Sequence, residues 1–123
     1  MKKIMKTSVV GKWAENIAAH FLGIKGFKIL SRNFNTRFGE IDIVAKDSCG
    51  IIIFAEVRYR GKGSYLLPEE TLTSKKQQRI KTTASIYMNR FGLQDANVRF
   101  DVICVTKGKW FEFPKIQYIV DAF

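Results

Sequence analysis

Apolar residues recur at the spacing of an α-helix in two stretches of the chain. The first predicted helix covers residues 8–25 and stops at Gly26, and the second covers residues 73–90 and stops before Gly92. Glycine commonly terminates helices. The apolar positions are Val10, Trp13, Ala14, Ile17, Ala18, Phe21 and Ile24 in the first helix, and Ile80, Ala84, Tyr87, Met88 and Phe91 in the second.

Short runs rich in β-branched and aromatic residues lie between and after these helices, and such runs are typical of strands. The predicted strands cover residues 27–34, 40–46, 51–58, 98–106 and 109–113. The segment Asp47-Ser48-Cys49-Gly50 joins the second and third runs, so these two strands are expected to form a hairpin. The order of elements predicts an α/β fold in which helices flank a mixed β-sheet.

The composition predicts one globular domain over residues 1–123. Hydrophobic residues make up 46% of the chain and charged residues 26%, which is not the balance of a disordered protein. Lys and Arg outnumber Asp and Glu by 21 to 11, so the formal net charge is +10. Such a charge favours polyanionic partners, with nucleic acid first and an anionic membrane surface second.

Other features of the sequence argue against a membrane protein and a zinc protein. No apolar run approaches the ~20 residues of a membrane helix, and charged residues interrupt any signal-peptide core near the start. Cys49 and Cys104 lack the spacing of metal ligands, and the chain has a single histidine. Reduced thiols suit a reducing compartment, so we expect a cytoplasmic protein.

Three of the 11 acidic side chains, Glu40, Asp42 and Glu56, fall on the predicted hairpin although the chain is strongly basic. Carboxylates that share one face of a sheet repel each other. A positive charge is therefore expected between them. A divalent ion such as Mg²⁺, which prefers oxygen ligands, is the first candidate.

This predicted site depends on the register of the hairpin. Pairing Asp47 with Ile51 leaves a three-residue turn and places Asp42 opposite Glu56, with Cβ atoms about 5 Å apart. The same register puts Arg58 on that face, where its guanidinium is expected to point at the phosphate of a substrate. A slip of one residue would place the two carboxylates on opposite faces and destroy the site.

A structural interpretation of the same residues stays open at this point. The register also places Glu40 opposite Arg58, as in a plain cross-strand ion pair, and Glu56 has Arg60 or a nearby lysine as an alternative partner. Patterns of two carboxylates have many false positives. The spacing therefore predicts either a metal site for phosphodiester hydrolysis or a set of structural ion pairs.

Short motifs along residues 11–123 form an ordered set. They are Gly11, Glu15 and Ala18, then Gly39-Glu40-Ile41-Asp42, Phe54-Ala55-Glu56-Val57-Arg58, Lys76, Arg99-Phe100-Asp101-Val102 and Asp121-Ala122-Phe123. This set resembles the YraN family, small bacterial proteins predicted to be nucleases. That family is related to the Holliday-junction-resolvase branch of the PD-(D/E)xK restriction-endonuclease superfamily. The resemblance implies a restriction-endonuclease-like core with the order α-β-β-β-α-β(-β).

The resemblance also implies roles for particular residues. Asp42 matches the first acidic position of the superfamily and Glu56 its D/E position, so both would bind Mg²⁺ or Mn²⁺. The backbone carbonyl of Val57 would join them. Glu15 matches a helix-borne glutamate that approaches the same site, and Glu40 is expected to support it.

Position 58 departs from the superfamily pattern, which has lysine where this chain has Arg58. Lysine can lose its proton and help to activate a water, whereas arginine stays protonated. Arg58 is therefore expected to stabilise charge on the phosphate without acting as a base. A second departure, Ala14 in place of the usual glycine, is minor.

Basic and aromatic side chains near the predicted metal site are candidates for contact with nucleic acid. The residues assigned to this role are Arg60, Lys62, Tyr65, Lys76 and Arg79, of which Lys76 matches a basic residue that the family carries on its second helix. Tyr59 is a further candidate for stacking on a base. For the lysines of the second helix, including Lys75, the alternative is that they simply form a solvent-exposed helix face. His20 and Asp101 are assigned structural roles.

The sequence thus predicts a Mg²⁺- or Mn²⁺-dependent nuclease acting on DNA, favoured over RNA, with branched or single-stranded DNA as candidate substrates. One alternative is a nucleic-acid-binding module that keeps the fold without catalysis, and Arg58 is the feature that separates the two. Another is an adaptor whose basic surface docks on an acidic protein. Resolvases that cut symmetric junctions usually act as dimers, so the resemblance leaves a homodimer open.

Overall fold

Two helices and five strands make up the regular structure of the described part of the chain. The computed structural model describes residues 2–60, 72–109 and 112–123, with side chains from Val9 onward. The elements are α1 (Lys2–Ile24), β1 (Lys28–Thr36), β2 (Gly39–Lys46), β3 (Ile52–Arg60), α2 (Ser74–Arg90), β4 (Val98–Thr106) and β5 (Lys115–Ile119). Among these described residues, neither helix is long and apolar enough to span a membrane.

The five strands form one sheet in the order β1-β2-β3-β4-β5. β3 and β4 run parallel, and the other neighbouring pairs are antiparallel. A parallel pair needs a crossover connection, and α2 lies in the one between β3 and β4. The predicted α/β class, the mixed sheet and the order of elements are confirmed.

Each helix covers one face of the sheet. The core on the α1 face consists of Ala14, Ala18, Leu22, Ile43, Ala45, Ile53, Ala55, Ile103 and Val105. The core on the α2 face consists of Ile41, Val44, Ile52, Phe54, Ile80, Ala84, Tyr87 and Met88. Because β3 is covered on both faces, its first half is a continuous apolar run rather than an alternating one.

The helix boundaries follow from capping and from the lack of breakers. α2 begins after Thr73, whose hydroxyl oxygen accepts a hydrogen bond from the N–H of Lys76 at 3.2 Å. α1 begins at Lys2, earlier than predicted. No proline or glycine occurs before Gly11, so no helix breaker stops α1 from extending back to Lys2.

The position of the last strand was predicted wrongly. The strand is β5, Lys115–Ile119, and the described residues 109, 112 and 113 of the predicted range are not in a strand. The N–H of Glu112 donates instead to the carbonyl of Lys109 at 2.8 Å. Trp110 and Phe111, the aromatic residues that favoured a strand there, lie outside the described residues.

Asp101 of β4 is fully buried and ties the end of the chain to the sheet. Its carboxylate accepts two hydrogen bonds from the Arg99 guanidinium and one from the N–H of Asp121, all at 2.9 Å, and one from the Tyr118 hydroxyl. Burial and the hydrogen bond to Asp101 raise the pKa of Tyr118 above its usual range, so the phenol remains a donor. Asp101 therefore has a structural role.

Asp101→Ala is expected to lower the free energy of unfolding by roughly 3–5 kcal/mol, because Arg99 would keep a partly buried charge without its partner. Chemical denaturation of the variant and the wild type measures the difference. Asp95→Ala, at an exposed carboxylate, is the control and should change stability by less than about 0.5 kcal/mol. Equal effects of the two substitutions would contradict the assigned role.

Candidate functional site

An open pocket of about 1240 Å³ lies between α1 and α2 at one end of β2 and β3. Both helices and the first three strands contribute to its lining. The described lining residues with charged or polar side chains or an aromatic ring are Lys12, Glu15, Asn33, Glu40, Asp42, Glu56, Arg58, Tyr59, Thr73, Lys75, Lys76 and Arg79. The four carboxylates assigned to the site from the sequence therefore line one pocket: Glu15, Glu40, Asp42 and Glu56.

The pocket opens where two adjacent strands stop pairing. The N–H of Asp47 donates to the carbonyl of Ile51 at 3.1 Å, as the predicted register requires, and the ladder then runs to Ile43 opposite Ala55. Beyond that pair, β2 remains bound to β1 and β3 remains bound to β4. The predicted register is correct, but its ladder ends one pair before Asp42.

Beyond Ile43 and Ala55, the side chain of Asp42 takes the place of a backbone acceptor on β2. Its Oδ2 accepts a hydrogen bond from the N–H of Val57 at 2.8 Å. β2 also changes face here, since Ile41 and Val44 both pack on the α2 side while Ile43 packs on the α1 side. The strict alternation that the sequence analysis assumed along β2 breaks at the point where a carboxylate takes the place of a backbone acceptor.

Three carboxylates, one from α1 and two from β2, meet in the pocket. One oxygen atom each of Glu15, Glu40 and Asp42 lie within 4.8 Å of one another. The side-chain amide of Asn33 connects two of them, because it donates to Glu15 Oε1 at 2.8 Å and to Glu40 Oε2 at 3.3 Å. Arg32 adds a positive charge 3.7 Å from Glu15. The group is thus fixed in position from α1, β1 and β2.

Asn33 is a site residue that the sequence analysis missed. It lies within β1 with a φ of 53°, a left-handed conformation that asparagine tolerates better than most residues. Asparagine is depleted in strands, so its presence inside a predicted strand was the available signal. From this position its amide reaches both Glu15 and Glu40.

The surroundings of Asp42 disfavour its ionised form. Burial is the largest cause and the charge of Glu56 the second, and with the charges of Glu15 and Glu40 they raise the pKa of Asp42 to about 8. The hydrogen bond from Val57 acts in the opposite direction. A cation placed among these carboxylates would favour the ionised form again.

Glu56 lines the same pocket but is paired with a cation from α2. The Nζ atom of Lys76 lies 3.0 Å from Glu56 Oε2. Lys76 is therefore the nearby lysine that the structural interpretation left open, although the sequence analysis assigned it to nucleic acid. Glu56 does not belong to the three-carboxylate group, yet its charge still acts on Asp42.

Only some of the other residues predicted to contact substrate line the pocket. Arg58 and Arg79 line it. Arg60 is not among the described lining residues, and it lies at the end of β3 opposite Thr106, the last residue of β4. Lys62 and Tyr65 lie outside the described residues.

Fold and pocket together define a class: a small α/β protein with a mixed sheet and a pocket between its two helices that collects four carboxylates, for which we call it the acidic pocket. A model of the family described as uncharacterised protein family UPF0102 matches residues 14–105. The chain belongs to this family, which confirms its resemblance to the YraN proteins.

Relatives from several organisms cover nearly the whole chain. A UPF0102 protein of Trichlorobacter lovleyi is 42% identical over 114 residues, which are 93% of this chain and 89% of the relative. One of Hahella chejuensis is 38% identical over 122 residues, which are 99% and 95% of the two chains. A chain in the structure of an EndoMS-dsDNA2 complex is similar at a TM-score of 0.33, with 22% identity, over 61% of this chain and 26% of that chain. Family membership rests on the sequence matches.

Asp42→Asn is expected to stabilise the metal-free protein at alkaline pH. The folded state raises the pKa of Asp42 from 3.8 to about 8, so the stability linked to its proton is present below pH 3.8 and is lost as the pH rises through about 8. Asparagine has no charge to desolvate and keeps an oxygen to accept from Val57. Denaturation in chelator at about pH 9 should favour the variant by at least about 2 kcal/mol, since one pKa unit corresponds to about 1.4 kcal/mol.

The advantage of Asp42→Asn should shrink when the same measurement is made at about pH 5. Asp95→Asn serves as the matched control at an exposed carboxylate and should show no such pH-dependent gap. A stability difference between Asp42→Asn and the wild type that is the same at both pH values would show that the Asp42 carboxylate is not strained by its surroundings.

Proposed function

We propose that this protein is a metal-dependent nuclease that hydrolyses phosphodiester bonds in DNA. One observation carries the proposal: Glu15, Glu40 and Asp42 meet within 4.8 Å, and Glu56 lines the same pocket, in a chain with a net charge of +10. An acidic group inside a strongly basic protein suits a site that binds a metal ion while the rest of the surface attracts phosphates.

Glu15, Glu40 and Asp42 would hold Mg²⁺ or Mn²⁺, with Glu56 and the carbonyl of Val57 as the further ligands that the family resemblance implies. Both ions prefer oxygen ligands, and this donor set supplies them. The raised pKa of Asp42 also fits a cation, because positive charge at that point relieves the repulsion among the carboxylates. When bound, such an ion supplies a water of lowered pKa and neutralises charge on the phosphate.

Two basic residues would act on the substrate beside this ion. Arg58 lines the pocket, and its guanidinium stays protonated, so it would neutralise charge that develops on the phosphate oxygens. Lys76 stands on the α2 side, 3.0 Å from Glu56. Asn33 would keep Glu15 and Glu40 oriented through its two hydrogen bonds. Arg58 would not act as a general base, because its guanidinium does not give up its proton.

DNA is proposed as the substrate for two reasons. The net charge of +10 favours a polyanion. The resemblance to the PD-(D/E)xK superfamily, and within it to the resolvase branch, favours DNA over RNA and makes branched or single-stranded DNA the candidates to test.

A second candidate function is a nucleic-acid-binding module with the same fold and without catalysis. The observation that favours it is Arg58, which occupies the position of the superfamily lysine and cannot give up its proton. The presence of Glu15, Glu40, Asp42 and Glu56 in one pocket favours the nuclease.

Incubation with linear, single-stranded and four-way-junction DNA tests the proposal, with Mg²⁺, Mn²⁺ or chelator present. Cleavage is expected with either ion and not with chelator. Asp42→Asn and Glu56→Ala should each lower the cleavage rate by roughly 100-fold or more, because each removes a charge that the reaction centre needs. Asp95→Asn should cleave like the wild type.

Two results would decide against the nuclease. Cleavage that persists in both Asp42→Asn and Glu56→Ala would place the chemistry elsewhere. Binding of every DNA without cleavage would favour the second candidate, and Arg58→Lys then adds a direct check. Cleavage by Arg58→Lys alone would identify the arginine as the reason that the wild-type site is inactive.

A further inference from the structure

A second surface pocket of about 740 Å³ adjoins the acidic one. It lies between the turn that joins β1 to β2 and the exposed side of α2. The two pockets share Gly39, Glu40, Lys75 and Arg79 in their linings, so a chain leaving the first would enter the second. We call this second pocket the turn groove.

The turn groove has a fixed wall, because the β1–β2 turn is held against α2. A Cβ atom at Gly39 would lie 3.1 Å from Thr83 Oγ1 and 3.5 Å from the Cβ atom of Arg79, so the backbone approaches the helix closely. The hydroxyl of Thr36 lies 3.4 Å from that of Thr83 and accepts a hydrogen bond from the N–H of Phe38 at 3.1 Å. These contacts pack the turn directly against α2.

Three cations and one carboxylate, Glu40, line the turn groove, so its lining carries a net positive charge. Arg37, Lys75 and Arg79 line it and all three side chains are exposed. Among the residues that the structure describes, no carboxylate lies within salt-bridge distance of these three cations, whereas Lys76 is paired with Glu56. Three cations along a groove, none of them in a salt bridge with its one carboxylate, suit the phosphates of a nucleic-acid backbone.

Phe38 supplies the groove with an aromatic surface. The ring is 45% exposed and belongs to none of the hydrophobic clusters formed by the described residues. The guanidinium of Arg37 lies 4.9 Å from its centroid. An exposed ring next to cations is the combination on which unpaired bases stack in proteins that bind single strands.

We propose that the turn groove binds an unpaired nucleic-acid strand next to the acidic pocket, with phosphates on Arg37, Lys75 and Arg79 and a base on Phe38. The proposal rests on the proposed function only for what happens to the strand in the acidic pocket. Binding in the groove needs neither metal nor cleavage. A duplex offers no free base face to Phe38, so an unpaired strand is the preferred ligand.

Fluorescence anisotropy with a labelled oligothymidylate, measured in chelator over a range of salt concentrations, tests this groove. Arg37→Gln and Lys75→Gln should each weaken binding and lower the slope of log affinity against log salt by about 0.7, the value for one phosphate contact on a single strand. Phe38→Ala should weaken binding by roughly 5- to 150-fold and leave the slope unchanged, because stacking releases no counterions.

Two variants elsewhere on the surface serve as matched controls. Lys28→Gln removes an exposed cation of β1, and Phe113→Ala removes a ring that is 91% exposed. Both should bind the oligonucleotide like the wild type, and thermal melting checks that every variant folds. Groove variants that bind no worse than these controls would overturn the proposal. Competition by poly-glutamate as effective as that by oligothymidylate would also overturn it, in favour of an acidic protein partner.

The binding and cleavage measurements separate this proposal from the proposed function. Loss of binding in the groove variants, together with no cleavage by the wild type, would leave the groove intact and reject the nuclease. Cleavage that depends on Asp42 in a protein whose groove variants bind normally would reject the groove and leave the nuclease intact.

Discussion

The hydrogen bond from the N–H of Val57 to the carboxylate of Asp42 is the interaction on which the pocket depends. It takes the place of a backbone contact, and the β2–β3 ladder ends one pair earlier, at Ile43 and Ala55. Beyond that pair, β2 stays hydrogen-bonded to β1 and β3 stays hydrogen-bonded to β4. The gap therefore opens between two central strands of the sheet. The two helices, which cover opposite faces, then contribute side chains to one opening.

This arrangement concentrates negative charge where burial makes it costly. Burial and the neighbouring carboxylates raise the pKa of Asp42 to about 8, while the protein as a whole carries a net charge of +10. Hydrogen bonds from Asn33 to two glutamates hold the group together against its own repulsion. Strain of this kind is common at functional sites, where stability is given up for function.

The parts of the fold that are set by residues close together in the sequence could be predicted. The hairpin register followed from a short loop, in which the Asp47 carboxylate accepts from the N–H groups of Cys49 and Ile51 at 2.9 Å, and from the apolar runs on either side. The helix positions followed from periodicity. The last strand was misplaced because aromatic composition favoured residues 109–113 over the strand at Lys115–Ile119.

The site itself was predictable in its residue types and not in its contacts. Glu40, Asp42 and Glu56 could be grouped because they share one hairpin, and Glu15 could be added only through the family resemblance. The bonds of Asn33 and the pairing of Lys76 with Glu56 join elements far apart in the sequence, so no spacing rule reports them. The β2–β3 ladder ends just before Asp42 because its carboxylate, and not a backbone carbonyl, accepts the hydrogen bond from the N–H of Val57. The spacing of residues does not report this competition.

Calorimetric titration of the purified protein with Mn²⁺ tests the metal site most directly, because it needs no substrate. We expect saturable binding to the wild type, weakened by roughly 10-fold or more in Glu15→Gln and in Asp42→Asn, and unchanged in Asp95→Asn. Absence of binding to the wild type, or equal binding by all four proteins, would show that the carboxylates between the two helices do not form a metal site.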